Sequence, residues 1–259
     1  MKKCFSKYLQ KVNKKFNMKN KNQEEKVKEL FNLKAKNWSD RYSSVMINRK
    51  LAFERLLKQY CDSHRKLIDV GCGTGNLLRM ASDLGFETTG IDISPEMVKA
   101  CKDYHSDCCK PVNIICGSFE RNVDSLGRFD VILFSSVFEY LDDPELYLEL
   151  FGKVLNENGI LLISIPNTKS LARIIEKEAK KVFHYLPFIT RIHPKIINYN
   201  KYLNTSRIRI SENVFEKKVK QYNFTVEKKN YFGKRFVSER SIFWDSSLII
   251  YVLKKKCNT

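Results

Sequence analysis

Leu67-Ile-Asp-Val-Gly-Cys-Gly-Thr-Gly-Asn-Leu-Leu78 decides the fold of this chain. An apolar run of strand length passes into a turn carrying Gly71, Gly73 and Gly75, and the apolar spacing of a helix follows from Asn76. Glycines at such a turn accept backbone angles closed to other residues and let a ligand lie directly against the main chain. The dinucleotide fingerprint G-x-G-x-x-G is not met, because Asn76 stands where its last glycine belongs. No Gly-Lys-Ser/Thr follows, so a phosphate loop is excluded as well. The turn suits a nucleoside without a pyrophosphate, and Asp69 at the strand end would attract an ammonium group.

The next strand ends in Gly90-Ile-Asp-Ile-Ser-Pro-Glu-Met97. An acidic residue closing this strand, Asp92, is placed to accept hydrogen bonds from two ribose hydroxyls, and Ile93 to pack on a flat base. Asp92 also stands where it could cap the following helix, but Ser94 and Pro95 supply those start signals themselves. Outward from this pair the pattern is regular. Strand-like runs recur at Leu67–Val70, Thr88–Ile91, Val112–Cys116, Phe129–Phe134 and Ile160–Ile165, separated by helical patterns at Asn76–Leu84, Pro95–Tyr104 and Pro144–Leu155. Strands alternating with helices imply a doubly wound α/β sheet with parallel pairing. A helix at Ser211–Tyr222 and strands near Phe224–Tyr231 and Ser247–Leu253 close the chain, and helices are expected near Gln23–Lys36 and Met46–Tyr60.

Asp69–Gly75 resembles the first motif of class I S-adenosylmethionine-dependent methyltransferases, and Gly90–Met97 the second. Phe129–Pro144 and Val154–Asn167 resemble later ones. The branch it looks most like is the small-molecule one that includes ubiquinone and menaquinone biosynthesis O-methyltransferases. The resemblance implies a Rossmann-like, seven-stranded, mostly parallel sheet with an antiparallel last strand, and S-adenosyl-L-methionine at the carboxyl ends of strands one to four. It implies that Asp69, Gly71 and Gly73 hold the methionine part and Asp92 the ribose, that Ile93 covers one adenine face with the Gly117-Ser118-Phe119 turn beside it, and that Ser135 offers its carbonyl to the ammonium. Cys72, Gly75 and Met97 are expected at the cofactor as well. Two departures stand out. Ser118 replaces the family's usual Asp, and Glu139-Tyr140 stands where the family often writes Glu-His.

Composition bounds the rest. With 259 residues, 43% of them apolar, the chain can fill one generous core. Its longest apolar runs are strand-length and far short of a membrane span. The basic N-terminus is not followed by an apolar stretch, so no secretory signal is read there and the expected location is the cytoplasm. Eight cysteines without paired spacing read as free, mostly buried thiols. Cys101, His105 and Cys108 or Cys109 recur at helical spacing, yet without a Cys-x-x-Cys pair no metal site is expected.

The formal charge of +18 is uneven. Residues 1–36, read as a basic extension preceding a methyltransferase domain at 37–259, carry twelve lysines and three glutamates. Residues 37–166 hold 14 basic and 19 acidic groups, and 167–240 hold 18 and 6. Basic flanks on an acidic middle point to an anionic partner, although a lysine-rich composition alone gives part of the same pattern. Phe5, Leu9, Val12 and Phe16 form one stripe of a basic helix, so residues 1–20 could rest on a membrane surface. Residues 167–210 are expected to form a substrate-covering insert. It would hold an amphipathic helix at Asn167–Leu186, an aromatic and basic stretch from His193 to Tyr202, and an extended Arg207–Arg209.

Methyl transfer needs a base only if the acceptor must lose a proton; the candidates are Glu139, Tyr140, His184 and His193. Trp38, Tyr42 and Arg49 could also face the cofactor. The favoured function is methyl transfer to a small-molecule hydroxyl, with an acidic or sugar-linked biosynthetic intermediate as the candidate acceptor. RNA methylation through the basic flanks is a second reading, and a cofactor-binding partner protein without turnover a third.

Overall fold

The computed structural model describes residues 23–35, 43–61, 66–107, 111–191, 193–207, 210–233 and 237–256. Trp38, Tyr42, Cys108, Cys109, Arg209 and the proposed membrane-facing stretch 1–20 lie outside them. Two helices come first, α1 (23–35) and α2 (Ser43–Leu57). Then β1 (Lys66–Val70), α3 (Asn76–Asp83), β2 (Glu87–Asp92), α4 (Pro95–Tyr104), β3 (Asn113–Cys116), the single turn α5 (Phe119–Asn122) and β4 (Phe129–Phe134) alternate. The chain continues through α6 (Pro144–Val154), β5 (Leu155–Pro166), α7 (Leu171–Tyr185), α8 (Pro194–Thr205), α9 (Glu212–Gln221), β6 (Phe224–Phe232), β7 (Val237–Ser238) and β8 (Leu248–Lys255).

The strands form one sheet in the order β3-β2-β1-β4-β5-β8-β6-β7. β1 to β5 are parallel, and β8 enters antiparallel between β5 and β6. Seven strands are as anticipated. The eighth, β7, is a two-residue pairing on the edge of β6, too short to leave a periodic signal. β5 begins at Leu155 rather than Ile160, because Leu155 pairs with Phe129 before the register slips. Asn158, at φ +61°, makes the kink.

Side chains alternate between two apolar cores, one on each face of the sheet. Ile68, Ile132, Leu161 and Ile163 join Phe134, Phe151, Phe215 and Tyr251 on one face. Leu67, Val131, Leu133 and Leu162 join Phe53, Leu57 and Met80 on the other. Covered on both faces, β4 and β5 read as continuous apolar runs, whereas the edge strand β3 is half-exposed. In this order the crossovers reverse direction between β1 and β4, so the carboxyl ends of β1 and β4 diverge into a crevice. That crevice holds the site.

Candidate active site

The carboxyl ends of β1, β2 and β4 open into a cavity of about 1250 Å³. At its floor the glycine turn is tied to the neighbouring strand. Gly71 N–H donates to Ile91 O at 2.8 Å and Gly75 N–H to Cys72 O at 3.0 Å. The Asp92 carboxylate does more than face the cavity: Oδ2 accepts Gly73 N–H at 2.8 Å and Oδ1 accepts Ser94 N–H at 2.8 Å. Ser94 Oγ takes the helix cap, accepting Met97 N–H at 3.1 Å. The cap and the cavity-facing carboxylate are therefore separate residues. Burial raises the Asp92 pKa, and the Ser94 and Gly73 amides oppose that shift.

Two glycines are required for different reasons. A Cβ on Gly71 would stand 2.3 Å from Val137 Cγ2, so the loop after β4 closes directly on the turn. Gly73, at φ +55°, faces open space, and a side chain there would project into the cavity. Gly75 differs from its expected place: it lies off the cavity wall, where a Cβ would meet His105 Cε1 at 2.5 Å and Cys101 Sγ at 2.6 Å. Its smallness serves packing of the turn on α4.

Asp69, Gly71, Cys72, Gly73, Asp92, Ile93, Met97, Ser118, Phe119 and Ser135 all line the cavity. Asp69 is buried, and its carboxyl is pushed up to about 7 by burial, with Arg49 pulling in the opposite direction. Arg49 lies on the same wall, and its Nη1 donates to Ser136 Oγ at 3.5 Å. Buried polar atoms without a hydrogen-bond partner cluster here, among them Arg49 Nε, Ser135 Oγ and Asp142 Oδ2. Such orphans are uncommon in native proteins and mark places where a polar ligand can supply the missing bond.

The opposite wall is built from Glu139, Tyr140 and the segment after β5. Glu139 and Tyr140 sit buried on a 3₁₀ turn, Phe138–Tyr140. The Arg173 guanidinium reaches Glu139 at 3.2 Å and Glu176 at 2.9 Å, with only 8% of the Arg173 side chain exposed. It also donates to the Tyr202 hydroxyl at 2.9 Å, which in turn donates to Glu176 Oε1 at 3.1 Å. Burial works against the Arg173 charge, but Glu139 beside it raises the pKa overall. Burial and the Glu139 charge raise Tyr140, and the same pair of causes raises Tyr202, so both phenols keep their protons.

Helix α1 closes the cavity from above. Gln23 Nε2 donates to Tyr140 O at 3.0 Å and to Thr205 O at 2.7 Å. Glu24 pairs with Arg121 at 2.6 Å, and Ser94 Oγ donates to Asn32 Oδ1 at 2.6 Å. Phe31 meets the Tyr140 ring edge-on at 5.1 Å, and the Lys34 ammonium lies 5.1 Å from the Tyr202 ring centre. One helix thus touches both walls.

Glu139 and Tyr140 are brought to the cavity, but the two histidines are not. His193 is exposed and its Nδ1 accepts Lys195 N–H at 3.2 Å, capping α8. His184 is exposed on α7. Arg207 lies outside any strand; its amide donates to Glu139 O at 2.8 Å and its guanidinium pairs with Asp142. Arg173, Glu176, Tyr202 and Gln23 were not anticipated. A sequence signal for Arg173 and Glu176 existed in their i,i+3 spacing, but it lay on the polar side of an amphipathic helix, the side normally assigned to solvent. Among the described residues no group of three His, Cys, Asp or Glu could hold a metal ion. Cys61, Cys72, Cys101 and Cys116 are free thiols; Cys72 and Cys101 are buried, Cys61 is half-buried and Cys116 is exposed. No helix among the described residues is long and apolar enough to cross a membrane.

A protein family described as a methyltransferase domain matches residues 42–228. The ubiquinone biosynthesis O-methyltransferase of Azorhizobium caulinodans is 31% identical over 134 residues, covering 51% of this chain and 53% of that protein. Its counterpart in Bradyrhizobium diazoefficiens is 30% identical over 166 residues, covering 62% and 65%. The chain therefore spans between 53% and 65% of the length of these two relatives. Among solved structures, magnesium protoporphyrin IX methyltransferase from Synechocystis PCC 6803 with bound SAH superposes with a TM-score of 0.63 at 14% identity, covering 89% of this chain and 98% of that one. That likeness is one of fold.

Proposed function

Because the chain belongs to the methyltransferase domain family, we propose that it moves the methyl group of S-adenosyl-L-methionine to a hydroxyl of a small-molecule acceptor. The observation carrying this reading is a single cavity. The glycine turn, Asp92, Glu139 and Tyr140 all line it, and it encloses about 1250 Å³. Pockets for a single drug-sized ligand run to about 300–1,000 Å³, and this cavity exceeds that range.

The residues present fit the nucleoside. Open space over Gly73 admits the methionine portion against bare backbone. Each Asp92 oxygen accepts one amide bond and retains a lone pair for a ribose hydroxyl. Asp69 and Ser135 are set to receive the ammonium, and Arg49 the carboxylate. Ile93, Met97 and Phe119 offer apolar surface to the base, with the Ser118 hydroxyl at its edge.

The bound nucleoside supplies an electrophilic methyl carbon on a positively charged sulfur, which the acceptor oxygen attacks in line. Glu139 accepts the acceptor's hydroxyl proton. Arg173, 3.2 Å away, holds that carboxylate in position. Tyr140 stays protonated and its hydroxyl donates to Glu139, which fixes that carboxylate in the wall. Neither His193 nor His184 lines the cavity, whereas Glu139 does, which supports Glu139 as the base. Helix α1 and residues 171–205 exclude water, so the reactants meet already desolvated and aligned.

Transfer of isotope-labelled methyl from S-adenosylmethionine into extract fractions, with mass identification of the product, tests the reading. Glu139→Gln is expected to lower turnover by about 100-fold or more while leaving nucleoside affinity unchanged. Absence of binding heat with both S-adenosylmethionine and its demethylated product would sink it.

A further inference from the structure

Three groups that methyl transfer does not use lie together behind the glycine turn: Cys72, Cys101 and His105. Cys72 and Cys101 pack in one small cluster with Leu78, and their thiols share a hydrogen bond. Cys101 is buried, whereas Cys72 is 8% exposed and lines the cavity, which gives a small solute its route to the pair. His105 Nδ1–H donates to Cys101 O at 2.8 Å, and the same nitrogen lies 3.8 Å from Cys101 Sγ. Its Nε2 is buried and has no hydrogen-bond partner among the described residues, so that nitrogen is left to accept a proton. The Cys72 hydrogen bond pulls the Cys101 thiol down to about 6 against the effect of burial, and His105 adds to the fall. The same bond, with burial, pushes Cys72 up. One sulfur of the pair thus has thiolate character, the condition for attack on an oxidant.

The pair is also joined to the turn. Cys72 stands between Gly71 and Gly73, with its Sγ 3.9 Å from Gly73 O. A Cβ on Gly75 would stand 2.6 Å from Cys101 Sγ, and one on Gly90 3.0 Å from Cys72 Sγ, so both sulfurs pack directly on glycine main chain. A disulfide holds its sulfurs about 2.05 Å apart, well inside the contact distance of two thiols. Closing one draws Cys72 toward α4 and takes the neighbouring Gly73 amide away from the Asp92 carboxylate that it meets at 2.8 Å.

We propose that Cys72 and Cys101 are a peroxide-sensitive dithiol whose disulfide unseats the glycine turn. The thiolate's electron pair attacks one oxygen of hydrogen peroxide; the S–O bond forms, the O–O bond breaks, and hydroxide leaves as water with the proton that the pair has released. The second sulfur then attacks the sulfenic sulfur; the S–S bond forms, the S–O bond breaks, and the departing hydroxide takes the remaining thiol proton as a second water. Two thiols and one peroxide give one disulfide and two waters.

The test treats the reduced full chain with hydrogen peroxide, blocks remaining thiols with iodoacetamide and digests with trypsin without reductant. A linked species of Leu67–Arg79 with Ala100–Lys102 is expected, at the summed mass less two hydrogens. Amide exchange at Gly73 should rise at least about tenfold in the oxidised chain and return on treatment with dithiothreitol. Cys101→Ser should abolish both changes, and His105→Gln should slow the oxidation several-fold. The proposal fails if peroxide leaves both cysteines open to iodoacetamide, or if either is found joined to another cysteine. It fails equally if the link forms with Gly73 exchange unchanged, or if the faster exchange survives Cys101→Ser. Oxidation should also weaken S-adenosylhomocysteine binding at least tenfold. This arm alone rests on the methyl-transfer reading: a reduced chain that binds no nucleoside sinks that reading, while the peptide map and the exchange still decide this one.

Discussion

The two walls of the cavity are held by different kinds of force. On the nucleoside wall the parts are main chain and strand ends: Gly71 is tied to Ile91 by a backbone bond and Gly73 N–H to the Asp92 carboxylate, within one pair of strands. On the acceptor wall the parts are side chains far apart in sequence, Gln23 with Tyr140 across 117 positions and Arg173 with Glu139. The first wall is held by the ladder of β1 and β2 and the turn bonds that continue it. The second holds only while its buried charges remain matched, since an ion taken out of water is tolerated when partnered and costly when its partner is removed.

The sharpest test of that contrast is Arg173→Met. It leaves Glu139 and Glu176 together without their guanidinium and is expected to cost about 3–5 kcal/mol in chemical denaturation. Glu139→Gln in the same chain should recover much of the loss, because the stranded charge is then removed. The folded fraction should bind the nucleoside nearly as before. A loss in that affinity as large as the loss in stability would dissolve the distinction between the walls.

Gly73→Val is the converse. A branched side chain at φ +55° costs about 1–2 kcal/mol of stability and projects into the space meant for the ligand. Calorimetry should show affinity for the nucleoside reduced by at least about 100-fold, roughly 2.7 kcal/mol. Asp92→Ala should follow in the same direction, since it removes the carboxylate proposed to accept from the ribose and also releases the Gly73 and Ser94 amides.

A smaller effect follows from Asp69, whose carboxyl is raised to about 7 by burial. The unfolded chain loses this proton near its ordinary value, while the folded chain keeps it until about 7. Between those values the native state binds more protons, so this group's contribution to stability falls as pH rises and levels off above about 7. Ligand binding has the opposite sign: an ammonium group selects the ionised carboxylate. Affinity should therefore rise with pH up to about 7, by at most about tenfold per unit, with proton release on binding at pH 6. Titration in buffers of different ionisation enthalpy measures that release, and Asp69→Asn should abolish it.

Legibility in the sequence divides along the same line. The five parallel strands, the order of their helices and the approximate place of Asp69, Gly73, Asp92, Ile93 and Ser135 could be read, because each depends on residues near it in the chain. Gly75 could not be separated from its neighbours, since only packing on Cys101 and His105 shows that it faces away from the cavity. His193 looked like an acid–base residue and proves to be a helix cap. Helix α7 was legible as amphipathic, but periodicity gives a helix two faces without saying which one faces the core, and here the apolar face points outward. Partners more than a hundred positions apart, such as Gln23 with Tyr140, leave no local pattern.

Gln23 gives the finest test of how the walls are joined. Its amide is the buried link between α1 and the acceptor wall, while Glu24 and Asn32 tie the same helix to Arg121 and Ser94 on the nucleoside wall. Gln23→Ala removes two hydrogen bonds worth about 1 kcal/mol each. The other contacts of α1 remain, so the helix should loosen rather than detach. Amide exchange across residues 23–35 should then accelerate by about 5- to 30-fold, with little change in the strands below. Nucleoside release should quicken in step, because the same helix covers both ends of the cavity. Unchanged exchange would mean that Phe31 and the ion pair hold α1 by themselves, and the two walls would then be joined by packing and surface charge instead of by this buried amide.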